Sequence, residues 1–247
     1  MDNFFRETVR YYSTLGNIPH EKFFTEDDPE PLLVRDPLLD NILPGYSCTV
    51  DIMMYERKGR YAVSYSGRAE GIVKIFRDRD VCERTARDNR RKVKFYCANI
   101  ARTAAPEICP GEAVRLGRDS FPEFAEFFGA CNPGCETGDW LEDYFYSIAD
   151  RGVCFGIFRE GRLACVSDSP DMPVLPDRYA EVGINTLPDF RRQGLAADVC
   201  SAAVKSVISR GLVPLWSADS ENAPSVALAE KTGFARLMNV TEISLGR

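Results

Sequence analysis

The stretch from Ala180 to Ser209, read as AEVGINTLPDF, then RRQGLA, then ADVCSAAVKSVIS, constrains this chain more than any other. Val182 and Ile184 mark a strand, Pro188 and Asp189 break it, and from Leu195 the apolar spacing turns helical. Leu195, Val199, Ala202, Ala203 and Val207 give that helix one buried face and place its start close to Gly194. The first turn of a helix leaves backbone N–H groups without helical partners, and the helix dipole adds partial positive charge there. Gly194 and the small Ala196 let a bulky anion approach the backbone, and Arg191 and Arg192 add formal charge at the rim. A strand, a glycine turn and a helix with an anion site at its N-terminus are therefore predicted.

Two blocks carry a resemblance to a known family. Arg191, Gly194 and Ala196 meet the pattern Arg or Gln, two residues, Gly, one residue, Gly or Ala, after the strand exit LPDF. Downstream, NAPSVALAEKTGF matches the next helix of the same family at Asn222, Ser225, Leu228, Lys231, Gly233 and Phe234. On these residues the chain resembles the GNAT superfamily of acetyl-CoA-dependent N-acetyltransferases, over roughly residues 113 to 247. The look is that of a bacterial subgroup with an extra N-terminal domain. The resemblance implies an α/β fold (α+β mixed sheet), a twisted mixed sheet flanked by helices over 111–247, with a smaller α+β domain over 1–110. It implies acetyl-CoA as co-substrate, no metal, and transfer to the amine of a small molecule, with a protein terminus as second choice.

The same resemblance distributes the cofactor. The diphosphate would sit on the backbone of Arg191, Arg192, Gln193, Gly194, Leu195 and Ala196, and pantetheine would pair with Ile184, Asn185 and Thr186 as though it were another strand. Asn222, Ser225 and Lys231 complete the set, although Asn222 reads equally as a helix N-cap. Such pairing requires the next strand, Leu212 to Ser217, to diverge, and Pro214 within it lacks an N–H, which weakens continuous pairing or simply marks an edge.

Acetyl transfer to an amine needs a neutral nucleophile and a way to lose the thiolate. An alkyl ammonium of pKa near 10.4 is neutral to only about one part in a few thousand at pH 7, and an α-amino group near 7.7 to about one part in six. Glu181 stands where many family members carry a glutamate acting through water, and it is either that base or the partner of an arginine. Asp219 and Glu221 are weaker candidates. Many members protonate the thiolate with a tyrosine seven residues after the position of Asn222, but here that residue is Ala229. Tyr179, Ser217 or water remain as acids. A thiol of pKa near 8.5 leaves tolerably without one, so catalysis is not excluded. A non-catalytic acyl-CoA-binding module that regulates a partner is the alternative of a different class.

The rest of the chain is fitted around this unit. With 247 residues, 45% hydrophobic and 28% charged, the composition is that of a soluble globular protein. No apolar run approaches a membrane span, and the opening MDNFFRETVRYY lacks the order of a secretion signal, so a cytoplasmic protein, monomer or homodimer, with no membrane partner is expected. A net charge of −6 with no basic tail argues against nucleic acid and mildly favours a cationic substrate. The nine cysteines read as reduced thiols, and Cys131 and Cys135 lack the further ligands that zinc needs, the only histidine being His20.

In the first 110 residues a helix along Phe4, Thr8, Tyr11, Tyr12 and Leu15 is predicted, then a proline-rich passage, then strands near 48–55, 60–65 and 71–76. Residues 80–92 read as a polar helix and 94–100 as a strand. The basic cluster Arg84, Arg87, Arg90, Arg91, Lys92 and Lys94 reads as a solvated face. A linker is placed at Ala104 to Glu112. Helices around Phe121 to Phe128 and Trp140 to Asp150 follow. By resemblance they wall the acceptor pocket, or Trp140, Tyr144 and Phe145 are simply core. A hairpin turning at Glu160-Gly161 leads to the central strand. After Phe234 only one strand remains, so its sheet edge needs a cover, from the N-terminal segment between Cys48 and Phe76 or from a second protomer.

Overall fold

The computed structural model describes residues 3–23, 30–89, 91–98 and 112–246. The expected linker lies outside them except for Glu112, as does the end of the strand expected over 94–100. The N-terminal segment contains helix α1 (Asn3–Leu15), strands β1 (Leu32–Arg35), β2 (Ile52–Arg57) and β3 (Arg60–Tyr65), helix α2 (Arg79–Asp88) and β4 (Arg91–Cys97). From residue 112 follow β5 (Val114–Arg115), helices α3 (Phe121–Cys131) and α4 (Trp140–Asp150), and strands β6 (Phe155–Arg159), β7 (Arg162–Asp168), β8 (Tyr179–Glu181) and β9 (Gly183–Thr186). Helix α5 (Leu195–Ser209), β10 (Val213–Asp219), α6 (Ala223–Lys231) and β11 (Phe234–Ile243) complete the chain.

Local chemistry accounts for the boundaries. Lys58 and Gly59 turn β2 into β3 with φ of 52° and 74°, and Glu160 and Gly161 do the same between β6 and β7 at 52° and 77°. Asp78 caps α2 by accepting from the Asp80 amide at 2.8 Å. The strand expected at 71–76 is instead a 3₁₀ helix over Val73–Arg77. Val73 and Phe76 are three apart, so a three-residue turn puts both on one side, and both are buried against Ile52, Met54 and Cys82.

The expected mixed sheet is present, in two parts. A seven-stranded sheet runs in the order β1-β3-β2-β11-β4-β10-β8, and a four-stranded sheet in the order β5-β6-β7-β9. The N-terminal strands are members of the large sheet: β2 pairs antiparallel with one side of β11, and β4 lies between β11 and β10, antiparallel to both. Both edges of β11 are therefore covered from the N-terminal segment. The inner position is taken by β4, from beyond the 48–76 region on which the expectation centred.

Alternation along β4 serves both faces of this sheet. Val93, Phe95 and Cys97 point into a core shared with Trp216, Ala218 and the apolar stripes of α5 and α6. On the opposite face α1 lays Val9, Tyr11, Tyr12 and Leu15 over Tyr179, Leu215, Met238 and Val240. Lys92 and Lys94 fall on that second face; Lys92 belongs to β4 and not to the helix expected over 80–92, and Lys94 lies on the strand expected there but is buried, not on the solvated face read for the basic cluster.

Candidate functional site

The central chain changes sheet in mid-course. β8 pairs parallel with β10 from Val213↔Tyr179 to Leu215↔Glu181, and the Val182 amide makes one more bond to the Leu215 carbonyl at 2.9 Å. Past Val182 the chain, now β9, pairs only with β7, and past Leu215 strand β10 pairs only with β4. The sheet splits here into a fork, with β9 and the end of β10 as its open edges. Pro214 is not where they part: it lies opposite Ala180 inside the paired stretch.

Below the fork, the turn into α5 is built for close approach. Gly194 is left-handed at φ 85° and Arg192 at φ 63°. Among the described residues nothing accepts from the backbone amides of 192–196, whereas the neighbouring Arg191 and Ala197 amides are bonded to Pro188 and Gly194. The side chains stiffen the loop: Arg191 Nε donates to the Thr186 carbonyl at 3.1 Å and Gln193 Nε2 to the Asp189 carbonyl at 3.3 Å. These amides, the α5 dipole and the two arginines form an anion site next to the open edge of β9. On β9 itself Thr186 donates to Cys165 Sγ at 3.2 Å and Ile184 packs on the core, leaving the backbone as the exposed feature.

Glu181 sits at the tip of the fork and accepts a short hydrogen bond from Ser217 Oγ. No arginine or lysine lies within ion-pair distance of it among the described residues, so the arginine-partner reading has no support. Ser217 is in turn the cross-strand partner of Lys94. Glu181, Ser217, Lys92 and Lys94 line a cavity of about 140 Å³, closed by Tyr11 and Tyr12 of α1, by Pro44 to Tyr46, and by Pro170, Asp171 and Pro173. Lys92 is committed elsewhere, pairing with Glu242 at 2.6 Å, and Glu242 also accepts from Tyr46 at 3.0 Å. Burial pushes the Lys94 ammonium below the usual lysine range, while the charges of Glu181 and Glu242 oppose that and Lys92 adds to it. Burial likewise raises the Tyr12 and Tyr46 hydroxyls, helped by the nearby carboxylates, so both stay neutral.

A second acid at the fork has no signal in the sequence. Asp168 ends β7 opposite Gly183, and a Cβ on that glycine would lie 1.9 Å from its Oδ1. Its carboxyl is pushed up to about 6, first by burial and then by the Glu181 charge. Asn185 Nδ2 reaches it at 3.5 Å.

The other expected residues fall as follows. Tyr179 is buried and donates to the Glu7 carboxylate at 2.8 Å, with its hydroxyl pushed up to about 12 by burial and that bond. It does not line the cavity. Asn222 caps α6 by accepting from the Ser225 amide at 3.2 Å, and Ser225 Oγ accepts from Trp216 at 3.3 Å. Lys231 ends the same helix at the surface. Ala229 is fully buried in the core. Asp219 accepts from the Glu221 amide at the end of β10. The pair α3 and α4 adds nothing to the cavity wall; Phe145 stacks on Phe124 at 4.5 Å inside the core, and Trp140 is 47% exposed. Among the described residues no group of three metal-ligating side chains is gathered.

Comparison with known proteins bears on the same segment. Residues 136–241 match the model of the GNAT acetyltransferase family, a span that includes the fork and the α5 turn. The N-acetyltransferase YdfB of Bacillus subtilis, described as uncharacterised, is 31% identical over 105 residues, covering 41% of this chain and 39% of that protein. Among solved structures, an acetyltransferase from the GNAT family of Colwellia psychrerythraea superposes with a TM-score of 0.51 at 20% identity, over 63% of this chain and 56% of that one. A GCN5-related N-acetyltransferase from Sphaerobacter thermophilus gives 0.50 at 14% identity, over 69% and 58%. These likenesses to solved structures concern the fold, and the chain matches less than two thirds of each relative's length. Over residues 136–241, less than half of its length, this chain is thus similar to the GNAT acetyltransferases.

Proposed function

We propose that the protein moves an acetyl group from acetyl-CoA to the amine of a small molecule by direct attack in a ternary complex. The observation that carries this reading is the fork: an unbonded run of amides at 192–196, an open strand edge on β9 and a carboxylate at its tip, all within one continuous passage of chain. The amides suit the diphosphate and the β9 edge suits the amide groups of pantetheine. When bound, acetyl-CoA supplies a thioester carbonyl open to a nucleophile.

The chain's own residues then have defined tasks. Glu181, holding the Ser217 bond on Oε1, keeps Oε2 to take the proton from the incoming ammonium. The amine nitrogen forms its bond to the acetyl carbon, the carbon–sulfur bond breaks, and the electron pair leaves on sulfur. Overall an ammonium and acetyl-CoA become an amide, CoA thiol and one released proton. Ser217 or water is left to protonate the thiolate, since Ala229 is core and Tyr179 is held by Glu7. Titration with acetyl-CoA, followed by thiol release with a panel of amines, tests the proposal. Tight binding without release for any amine would favour the regulatory-module alternative, to which the apolar Ala229 lends its one supporting observation.

A further inference from the structure

The cavity at the fork holds a charge that proton transfer by Glu181 does not use. Lys94 is only 6% exposed and lines the cavity. Among the described residues its ammonium has no hydrogen-bond acceptor and no carboxylate at ion-pair distance; its one defined contact is the Tyr12 ring, 5.7 Å from Nζ to centroid. The adjacent Lys92 shows the contrast, since Glu242 neutralises it. A buried ammonium without a partner costs several kcal/mol, whereas a hydrophobic side chain of similar size would be free of that cost. Stability therefore does not account for lysine at this place, and a ligand anion does.

The surroundings narrow the ligand. Glu181 and Lys94 carry opposite charges on the same cavity wall and feel each other's field, yet the defined side-chain contact of each is neutral: the Ser217 hydroxyl for one and the Tyr12 ring for the other. Only β10 separates their strands, and Glu181 lies opposite Leu215 while Lys94 lies opposite Ser217, so their backbones are roughly 12 Å apart on the diagonal, which two inward side chains and a few ligand atoms can bridge. A cavity of about 140 Å³ suits the charged end of a compact molecule better than the whole of a bulky one such as an aminoglycoside.

Resting on the acetyltransferase reading above, we propose that the acceptor is a small amino acid, its carboxylate bound by Lys94 and its amine presented to Glu181. This specifies the acceptor as a zwitterion with its two charges a few bonds apart. It also explains how an acidic protein selects its substrate with no arginine among the described residues of the pocket.

The experiment uses the full-length protein. Thiol release from acetyl-CoA is measured with glycine, alanine and serine and with their amides, in the wild type, Lys94→Met and Lys94→Arg. A hydrogen-bonded ion pair in a desolvated site predicts kcat/KM for the acids at least ~10-fold above the amides. Lys94→Met should lower that ratio at least ~10-fold relative to the wild type with the acetyl-CoA Kd unchanged, and Lys94→Arg should keep part of it. The mutant comparison removes the difference in amine basicity between acids and amides. Calorimetric titration with N-acetylglycine and N-acetylglycinamide gives the same comparison without turnover. Equal rates and affinities for acid and amide, equal losses for both in Lys94→Met, no binding of N-acetylglycine, or acetylation of Lys94 itself would each overturn the inference. Failure of acetyl-CoA to bind would instead remove the acetyltransferase reading, and the titrations would still decide the role of Lys94.

Discussion

Lys94 stands directly opposite Ser217 across β4 and β10, and Ser217 donates its hydroxyl proton to Glu181 on the strand beyond. The three form a row across one sheet face, and the row draws on both ends of the chain. Charge, hydroxyl and carboxylate are thus spaced by sheet geometry, with the strands holding them in place where flexible loops would not.

Glu181→Gln keeps the shape of the side chain and can still accept from Ser217, but it cannot take a proton. Turnover should fall by ~10² or more, with acetyl-CoA affinity unchanged. Ser217→Ala should cost far less, since it frees the carboxylate without removing it. Steady-state thiol release and calorimetry on the two variants check the order.

Gly194 is left-handed at φ 85°, a conformation that costs a residue with a side chain about 1–2 kcal/mol. Gly194→Ala should lower Tm by roughly 2–8 °C and weaken acetyl-CoA modestly. Gly194→Glu adds a carboxylate where an anion is to sit, and Kd should rise at least ~100-fold. Unchanged affinity in Gly194→Glu would end the assignment of this turn to the cofactor.

Lys94→Met removes a buried charge whose desolvation is only partly offset by the more distant Glu181 and Glu242 charges and the Tyr12 ring, so the variant should melt higher than the wild type, by roughly 2–4 °C per kcal/mol gained. A side chain held only for the fold would give the opposite sign. Differential scanning calorimetry without ligands reads the sign directly.

Asp168 titrates near 6 in the folded protein against about 3.9 in an unfolded chain. The folded state therefore binds the extra proton between those values. The stability contributed by this group is complete below about pH 4 and is lost as pH rises through 6. Asp168→Asn, neutral in both states, should melt a few degrees above the wild type at pH 7.5, and the two curves should converge towards pH 4. Glu181, Tyr144, Cys131 and Cys154 face the same carboxyl, and each is electrostatically coupled to it. A gap that persists at pH 4 would show that Asp168→Asn acts by packing and not by charge.

What could be read from the sequence was local. The strand, the left-handed Gly194 and the amphipathic α5 depend on neighbours within a few positions, and each is where periodicity and glycine placed it. Asn222 was ambiguous because an N-cap and a ligand contact call for the same side chain. The misread segments all depend on distant partners. Lys92 reads as the end of a basic helix and Lys94 as part of its solvated face, although the strand period of Lys92, Val93, Lys94, Phe95, Tyr96 and Cys97 begins before position 94. Asp168 is an ordinary strand-end acid until Gly183 and Glu181 are brought beside it. Which strand fills the gap between β10 and β11 has no local signal, because hydrogen-bond ladders accept many sequences.

The placement of β4 sets a timetable for synthesis. Lys92 meets Glu242 across 150 positions, Glu56 meets Asn239 across 183, and Tyr46 meets Glu242 across 196. At 5–20 residues per second, β2 and β4 leave the ribosome roughly 7 to 40 seconds before the last strand that must lie between them. Until then their ladder groups and the apolar side of Val93 and Phe95 have no native partner, so the nascent chain must either stay loosely collapsed or be shielded. Loop closure over such distances also makes folding slow for a chain of this size. The charged residues Arg91, Lys92 and Lys94 on the waiting strand are the kind that discourage pairing with another copy, so the lysine assigned here to ligand recognition also protects the strand before the fold exists.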